Sequence, residues 1–317
     1  MKARDGRAWL DRNPWIWSFV GAAVVWLLTS VTVEGRGALA TLSVALQFAT
    51  FFVIVGLGQT LVISAGPGNI DLSIPAVMTL AGYLGMGLMG GSDSGLLAGV
   101  TAAIGIGLVA GIVNIVLIQA LLIPPMIGTL AAGFVIQSVA IAYSSGSTAK
   151  PAPTLVQFTA ARVFGLPVIA LVFVVVAMLV STGLRRSVFG RSVLAVGQNP
   201  RAAYLAGLAV NRTLAGVYLL SALLAAIAGL LLAGYSGGAS LNMGEDYLLM
   251  SIAVVVLGGT SIAGGQAAVA GIWGAAVLLD LVVTMLNVMR MAAGWRYVVT
   301  GAVIIGVLAV ARRGRPA

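Results

Sequence analysis

The sequence predicts an all-α integral membrane protein of about ten transmembrane helices, with short broken or re-entrant segments and both termini cytoplasmic. Composition is the first observation behind this. The chain is 60% hydrophobic and 8% charged, whereas a soluble domain carries about 25% charged residues. So little charge cannot cover a folded surface in water. The second is the recurrence of apolar runs near the length a bilayer demands, roughly 20 residues for a helical span. The third is the distribution of the basic residues, whose bias sets the orientation of a polytopic chain.

A tail over residues 1–14 precedes a single transmembrane domain over 15–311, and a second tail covers 312–317. The spans fall near 15–33, 44–64, 74–91, 95–121, 125–145, 165–184, 213–235, 247–261, 267–288 and 295–311. The first follows Lys2, Arg4, Arg7 and Arg12 and is flanked by Trp9, Trp15 and Trp17. Its apolar run is too long for a signal peptide, and no clear small-residue cleavage site follows, so it reads as an uncleaved span with an aromatic anchor. The fourth carries Gly95, Gly99, Ala103, Gly107 and Gly111 at a spacing of four, one helix face on which another backbone can pack. Gly271 and Gly274 in the ninth span read the same way.

With the N-terminus inside, twelve of the 17 basic residues fall on the inner side and five, Arg36, Lys150, Arg162, Arg290 and Arg296, on the outer. The opposite orientation puts the excess on the wrong face. The net charge of +9 therefore reflects orientation and anionic lipid headgroups rather than nucleic acid.

The longest inner loop, 185–212, holds Arg185, Arg186, Arg191, Arg201 and Arg212 and no acid. Within it Asn199 suits an N-cap, Pro200 the first helical position and Gly207 a helix stop. A capped helix offered to the cytoplasm reads either as a docking element or as a solvated connector.

Two Gly-rich breaks interrupt the apolar pattern, Ser64–Ser73 and Gly258–Gln266. Irregular backbone near membrane depth is tolerated where protein buries it or where it lines a watery cavity, and broken helices of this kind often line transport pathways. The alternative is two tight hairpin turns at the cytoplasmic surface. In the first break, Asp71 or Ser73 can cap the helix that starts near Pro75, or Asp71 can meet a permeating polar solute. Asn69, Thr260 and Ser261 are the other polar candidates for a pathway or gate. Asp280 lies well inside the ninth span, where an Asp costs about 2.5–3.5 kcal/mol on insertion scales. It therefore faces the bundle or a cavity, near Arg296 or Asn287, in a structural or a coupling role.

The missing chemistry narrows the function. Neither lysine, Lys2 or Lys150, ends a G-x-x-x-x-G-K run, so P-loop ATP hydrolysis is excluded. With no histidine there is no Ser/His/Asp set, and with no cysteine no thiolate or disulfide. The residue inventory points to moving a solute rather than to catalysis.

Three stretches resemble a known family. They are Gly58-Gln59-Thr60-Leu61-Val62-Ile63 running into Gly68-Asn69-Ile70-Asp71-Leu72-Ser73; Phe189-Gly190-Arg191 through Gly197-Gln198-Asn199-Pro200-Arg201-Ala202-Ala203 to Gly207; and Val254 through Leu257 into Gly258-Gly259-Thr260-Ser261-Ile262-Ala263-Gly264-Gly265. Together they resemble the transmembrane permease subunits of bacterial ABC importers for simple sugars of the ribose, xylose and galactose type. The chain departs at Asn69, where a second glycine is usual, and at Ile74-Pro75, where the family has valine and glycine.

The resemblance implies a permease of the inner membrane with no cofactor of its own. ATP and Mg would be used by a separate ATP-binding subunit. That subunit would be contacted through Gly190, Arg191, Gly197, Asn199, Pro200, Arg201, Ala202, Ala203 and Gly207. A periplasmic or lipoprotein solute-binding protein would deliver the solute, with Glu245 and Asp246 aiding docking, and a second permease copy would complete the pathway. A secondary transporter coupled through Asp280, an importer of a nucleoside or other non-sugar solute, and a branched-chain amino-acid permease are the competing readings.

Overall fold

The computed structural model describes residues 15–32, 38–144 and 150–292, with positions 294, 295, 298, 299, 301, 302 and 305. Both tails and most of the tenth expected span, Arg296 included, lie outside the described residues. Twelve α-helices are present among the described residues. They are α1 Ile16–Thr32, α2 Ala38–Ser64, α3 Ile74–Met89, α4 Leu96–Ile115, α5 Pro125–Ser144, α6 Pro153–Ala160, α7 Val168–Arg186, α8 Val188–Gln198, α9 Pro200–Leu205, α10 Val210–Tyr235, α11 Glu245–Leu257 and α12 Val269–Val288. One π-helical turn, Val116–Ala120, prolongs α4.

Six of these helices are long and apolar enough to cross a membrane: α2, α4 with its flanking turns, α5, α7, α10 and α12. The apolar helices α1 and α3 are shorter. At 13 residues, α11 is shorter again, because the Gly258–Gln266 break ends it early. The second helix begins at Ala38, six positions before the 44 read from the sequence, because Leu39 through Ser43 continue the helix without a breaker.

Helix association in lipid depends on close packing rather than on expelling water, so small residues sit where helices meet. The fourth-span stripe behaves this way. A Cβ added at Gly107 would come within 2.9 Å of the Leu223 Cα, and one at Gly111 within 2.9 Å of the Leu219 Cα, both on α10. Gly99 faces the backbone of Gly85 and the side chain of Met89 on α3. On α12, Gly271 abuts the backbone of Gly258, and Gly274 abuts Ser18 and Phe19 of α1.

The α10 helix runs through the middle, packed on α2, α3 and α4. Its buried face is Ala222, Ala225, Ala226, Ala228 and Gly229, with Gly229 pressed on the Met78 backbone. Two apolar clusters result. One joins α2, α3, α4, α5 and α10, and the other joins α1, α2, α7, α10 and α12. The outward faces of α4, α5 and α7 expose Val109, Phe134, Val135, Val175 and Met178, a belt suited to lipid tails.

Candidate functional site

Each break buries part of its polar backbone and side chains in the bundle and leaves a tip exposed, at Pro67 and Gly68 in the first and at Ile262 and Ala263 in the second. In the first, Asp71 is 1% exposed and Ser73 fully buried. Asp71 Oδ1 accepts the Ser73 N–H at 3.0 Å and the Ser73 hydroxyl at 2.6 Å. Its Oδ2 accepts the Ser221 hydroxyl of α10 at 2.8 Å. Ser73 holds the N-cap position of α3 but makes no side-chain cap bond; its hydroxyl turns back to the carboxylate instead. Asp71 thus fixes the residue that starts the helix rather than capping it directly.

Around this carboxylate the break is tied to four helices. Gln59 Oε1 of α2 accepts the Asp71 N–H at 3.3 Å, and Asn114 Nδ2 of α4 donates to the Ser73 hydroxyl at 2.9 Å. The Thr129 hydroxyl of α5 accepts the Leu72 N–H at 3.0 Å, and the Tyr218 hydroxyl of α10 donates to Asn69 Oδ1 at 3.3 Å. Gln59 Nε2 and Asn114 Oδ1 remain without a partner, so the node keeps one donor and one acceptor free. Buried polar atoms are rarely left unpaired without a reason.

The second break folds on itself. Thr260 and Ser261 are 2% and 6% exposed. The Thr260 hydroxyl accepts the Ala268 N–H at 3.1 Å, and the Ser261 N–H donates to the Gln266 carbonyl at 3.2 Å. Gly264 and Gly265 turn the chain at φ +83° and +73°, a conformation only glycine adopts freely.

The loop 185–212 contains two helices where the sequence indicated one. The Ser187 hydroxyl accepts the Gly190 N–H at 2.9 Å and opens α8. Asn199 Oδ1 then accepts the Ala202 N–H at 3.0 Å and opens α9, as read from the sequence, with Pro200 in its first turn. Gly207, at φ +83°, closes it through its N–H to the Tyr204 carbonyl at 2.9 Å. Gly190 is pressed on the backbone of Gly183 and Leu184, which sets α8 sharply against the end of α7. Arg191, Arg201 and Ala202 face outward, and Ala203 is buried. Tyr204 and Leu205 are 69% and 77% exposed. Two apolar side chains on a short exposed helix are a signal that the glycine and capping pattern did not show.

The three motifs meet at Gly197. The Gly265 N–H of the second break donates to the Ser64 carbonyl of the first at 2.9 Å. Gly197 of α8 lies against both groups, and a Cβ there would occupy the space of the Ser64 oxygen and the Gly265 nitrogen. Gly264 in turn faces Gly66 and the Gly197 carbonyl. Beside this junction opens a cavity of about 330 Å³ lined by Ser181, Arg185, Leu194 and Gln266. Spacing along the chain could not show that positions 64, 197 and 265 touch.

Asp280 lies apart from this assembly, on α12. It is 7% exposed and accepts one hydrogen bond, a long one from Thr284 at 3.4 Å. Of the partners expected from the sequence, Arg296 lies outside the described residues. No cluster of three metal-ligating side chains occurs among the described residues.

Comparison with known proteins agrees with this anatomy. The family described as "Branched-chain amino acid transport system / permease component" matches residues 40–308. The fructose import permease protein of Rhizobium meliloti is 32% identical over 282 residues, covering 85% of this chain and 77% of that protein. The ribose import permease protein of Bacillus subtilis is 32% identical over 255 residues, covering 80% of this chain and 78% of that one. An autoinducer 2 import system permease protein of Klebsiella pneumoniae is 32% identical over 281 residues, covering 88% and 80%. No solved structure gives a significant match. The chain belongs to this family of membrane permeases, and its relatives for ribose, fructose and autoinducer 2 are import permeases of the sugar ABC-importer type.

Proposed function

We propose that this chain is the transmembrane subunit of an ATP-driven importer for a monosaccharide or a similarly hydroxylated small solute. In this reading it crosses the bacterial inner membrane ten times with both termini inside. The α8–α9 segment seats on a separate ATP-binding subunit that holds ATP and Mg. A solute-binding protein delivers the solute on the opposite face, and a second permease copy completes the pathway.

The observation that carries the proposal is the Gly197 junction. The short helix that exposes Tyr204 and Leu205 is continuous with a helix wedged against both breaks. Movement imposed on α9 from outside the bundle is thereby delivered to both breaks at once. The names of the relatives support a sugar or autoinducer-like solute rather than an amino acid.

The test is isolation of the tagged permease from its native membrane, followed by reconstitution with whatever co-purifies. An ATP-binding subunit in the complex, and uptake that requires ATP, are expected. A permease recovered alone, with uptake abolished by a protonophore, refutes the reading. The weakly partnered Asp280 would then become the coupling group of a secondary transporter.

A further inference from the structure

The two buried acids of the described bundle are treated very differently by the fold. Asp71 accepts three hydrogen bonds, from Ser73 N–H, Ser73 Oγ and Ser221 Oγ, and is spent on holding the first break. Among the described residues Asp280 accepts only the long bond from Thr284, although a carboxylate offers about four acceptor positions. An ionisable side chain within a span and without a matched partner costs free energy that folding alone does not explain.

Its surroundings supply the missing context. Trp273, Val277, Asp280 and Thr284 recur at intervals of four, three and four, which places them on one face of α12. Trp273, Val277 and Thr284 are each only partly buried, so this stripe is not sealed into the core. The Trp273 indole N–H has no acceptor. Phe52 of α2 and Tyr247 of α11 pack ring to ring, with centroids 4.9 Å apart. Phe52 and Trp273 both pack against the apolar cluster that contains Tyr247. The Tyr247 phenol lies within electrostatic reach of Asp280.

A buried indole N–H without an acceptor, a carboxylate with one long bond among the described residues and aromatic faces in one place are the complement of a small polyol. Its hydroxyls would donate to Asp280 and accept from Trp273 and Tyr247, while its C–H faces lie on the rings. Binding sites of this kind set a few polar groups in an aromatic wall. A bulk lipid tail would leave these polar groups unpaired. At the Asp71 node three of the carboxylate's acceptor positions are already taken by the protein's own groups.

We infer that the α12 stripe of Trp273, Asp280 and Thr284, facing Phe52 and Tyr247, is a contact station for the hydroxylated solute on its way through the bundle. The inference rests on the importer reading above, and it assigns solute selectivity to the permease as well as to any binding protein.

The natural absence of cysteine gives a direct test. Val277→Cys is placed on the stripe and Val175→Cys on the lipid-facing side of α7, and membranes are treated with a charged, water-soluble methanethiosulfonate. Modification at 277 and not at 175 is expected. No modification at 277, with or without ATP, overturns the inference whatever the solute. In a second arm, uptake of D-ribose and D-fructose is measured in proteoliposomes holding the complete complex. Asp280→Asn should raise the KM for the imported sugar at least tenfold, and Thr284→Val by a smaller factor. A wild-type KM in both variants overturns the contact role while leaving the importer reading intact. Wild-type uptake that ignores ATP and collapses with a protonophore overturns both.

Discussion

Replacing Gly197 by alanine tests the coupling geometry most directly. A Cβ at this position would overlap the Ser64 carbonyl oxygen and the Gly265 nitrogen, and would stand 3.0 Å from the Gly265 Cα. All three are backbone atoms in the buried parts of the breaks, so no flexible side chain can swing aside. Overpacking of this kind costs about 1–3 kcal/mol. Separating the breaks also lengthens the Gly265 N–H to Ser64 bond, whose net loss costs about 0.5–1.5 kcal/mol. The sum, roughly 1.5–4.5 kcal/mol, disfavours this junction by about tenfold to somewhat over 1000-fold, at 1.4 kcal/mol for each factor of ten. The assay is solute imported per ATP hydrolysed by the reconstituted complex. Gly197→Ala should assemble, hydrolyse ATP and lose most of its import. Gly105→Ala is the control, since nothing lies within 4 Å of the added Cβ. Import at the wild-type ratio by Gly197→Ala would refute the idea that α8 drives the breaks through this contact.

Asp71→Ala strips three hydrogen bonds and leaves the Ser73 and Ser221 O–H donors without their acceptor in the bundle, at about 1–3 kcal/mol for each stranded group; a fall of several degrees or more in the melting temperature of the detergent-solubilised permease is expected. Gly229→Ala drives a Cβ into the Met78 backbone, an overpacking that costs about 1–3 kcal/mol, and should lower the melting temperature of the detergent-solubilised permease. Asn199→Ala removes the α9 cap, worth about 1 kcal/mol, and should weaken solute-stimulated ATPase partially. Ala202→Pro removes the N–H that makes that cap bond and should abolish the stimulation, while Tyr204→Asp should reduce recovery of the ATP-binding subunit in a pull-down.

The helices were legible because a span and a glycine seam are local. The stripe at Gly95, Gly99, Ala103, Gly107 and Gly111 named its own face, and the structure fills that face with α10 and α3. Asn199, Pro200 and Gly207 marked α9 to within a residue or two. The polar node was not legible. Ser221 lies 150 positions from Asp71, and nothing in the sequence distinguishes it from other serines in apolar helices. Gln59 stood inside a quoted motif, yet its role as acceptor for the Asp71 N–H depends on how α2 turns back. The junction of Ser64, Gly197 and Gly265 was hidden for the same reason: glycine at a backbone crossing and glycine in a loose turn look alike in one dimension.

The architecture also constrains how a conformational cycle could use it. A ligand shifts an equilibrium only by as much as it prefers one state, so a docked subunit must hold α8–α9 differently in its two states. The breaks can follow because each is tied to α8 through backbone rather than through adaptable side chains. The first break is held at its far end by Asp71, Ser73, Ser221, Asn114 and Thr129, which anchors it to α4, α5 and α10. Displacement at Gly197 therefore pulls on Ser64 and Gly66 against that fixed node, and the strain falls on the residues between. Gly66 and Gly68, at φ +146° and +79°, are the points there that can change conformation most cheaply. Gly68→Ala meets no neighbour, since nothing lies within 4 Å of the new Cβ, but it sets an L-residue at φ +79°, at about 1–2 kcal/mol, and so biases this point away from the present conformation. It should slow import with ATP binding intact, and import at the wild-type rate would place the hinge elsewhere.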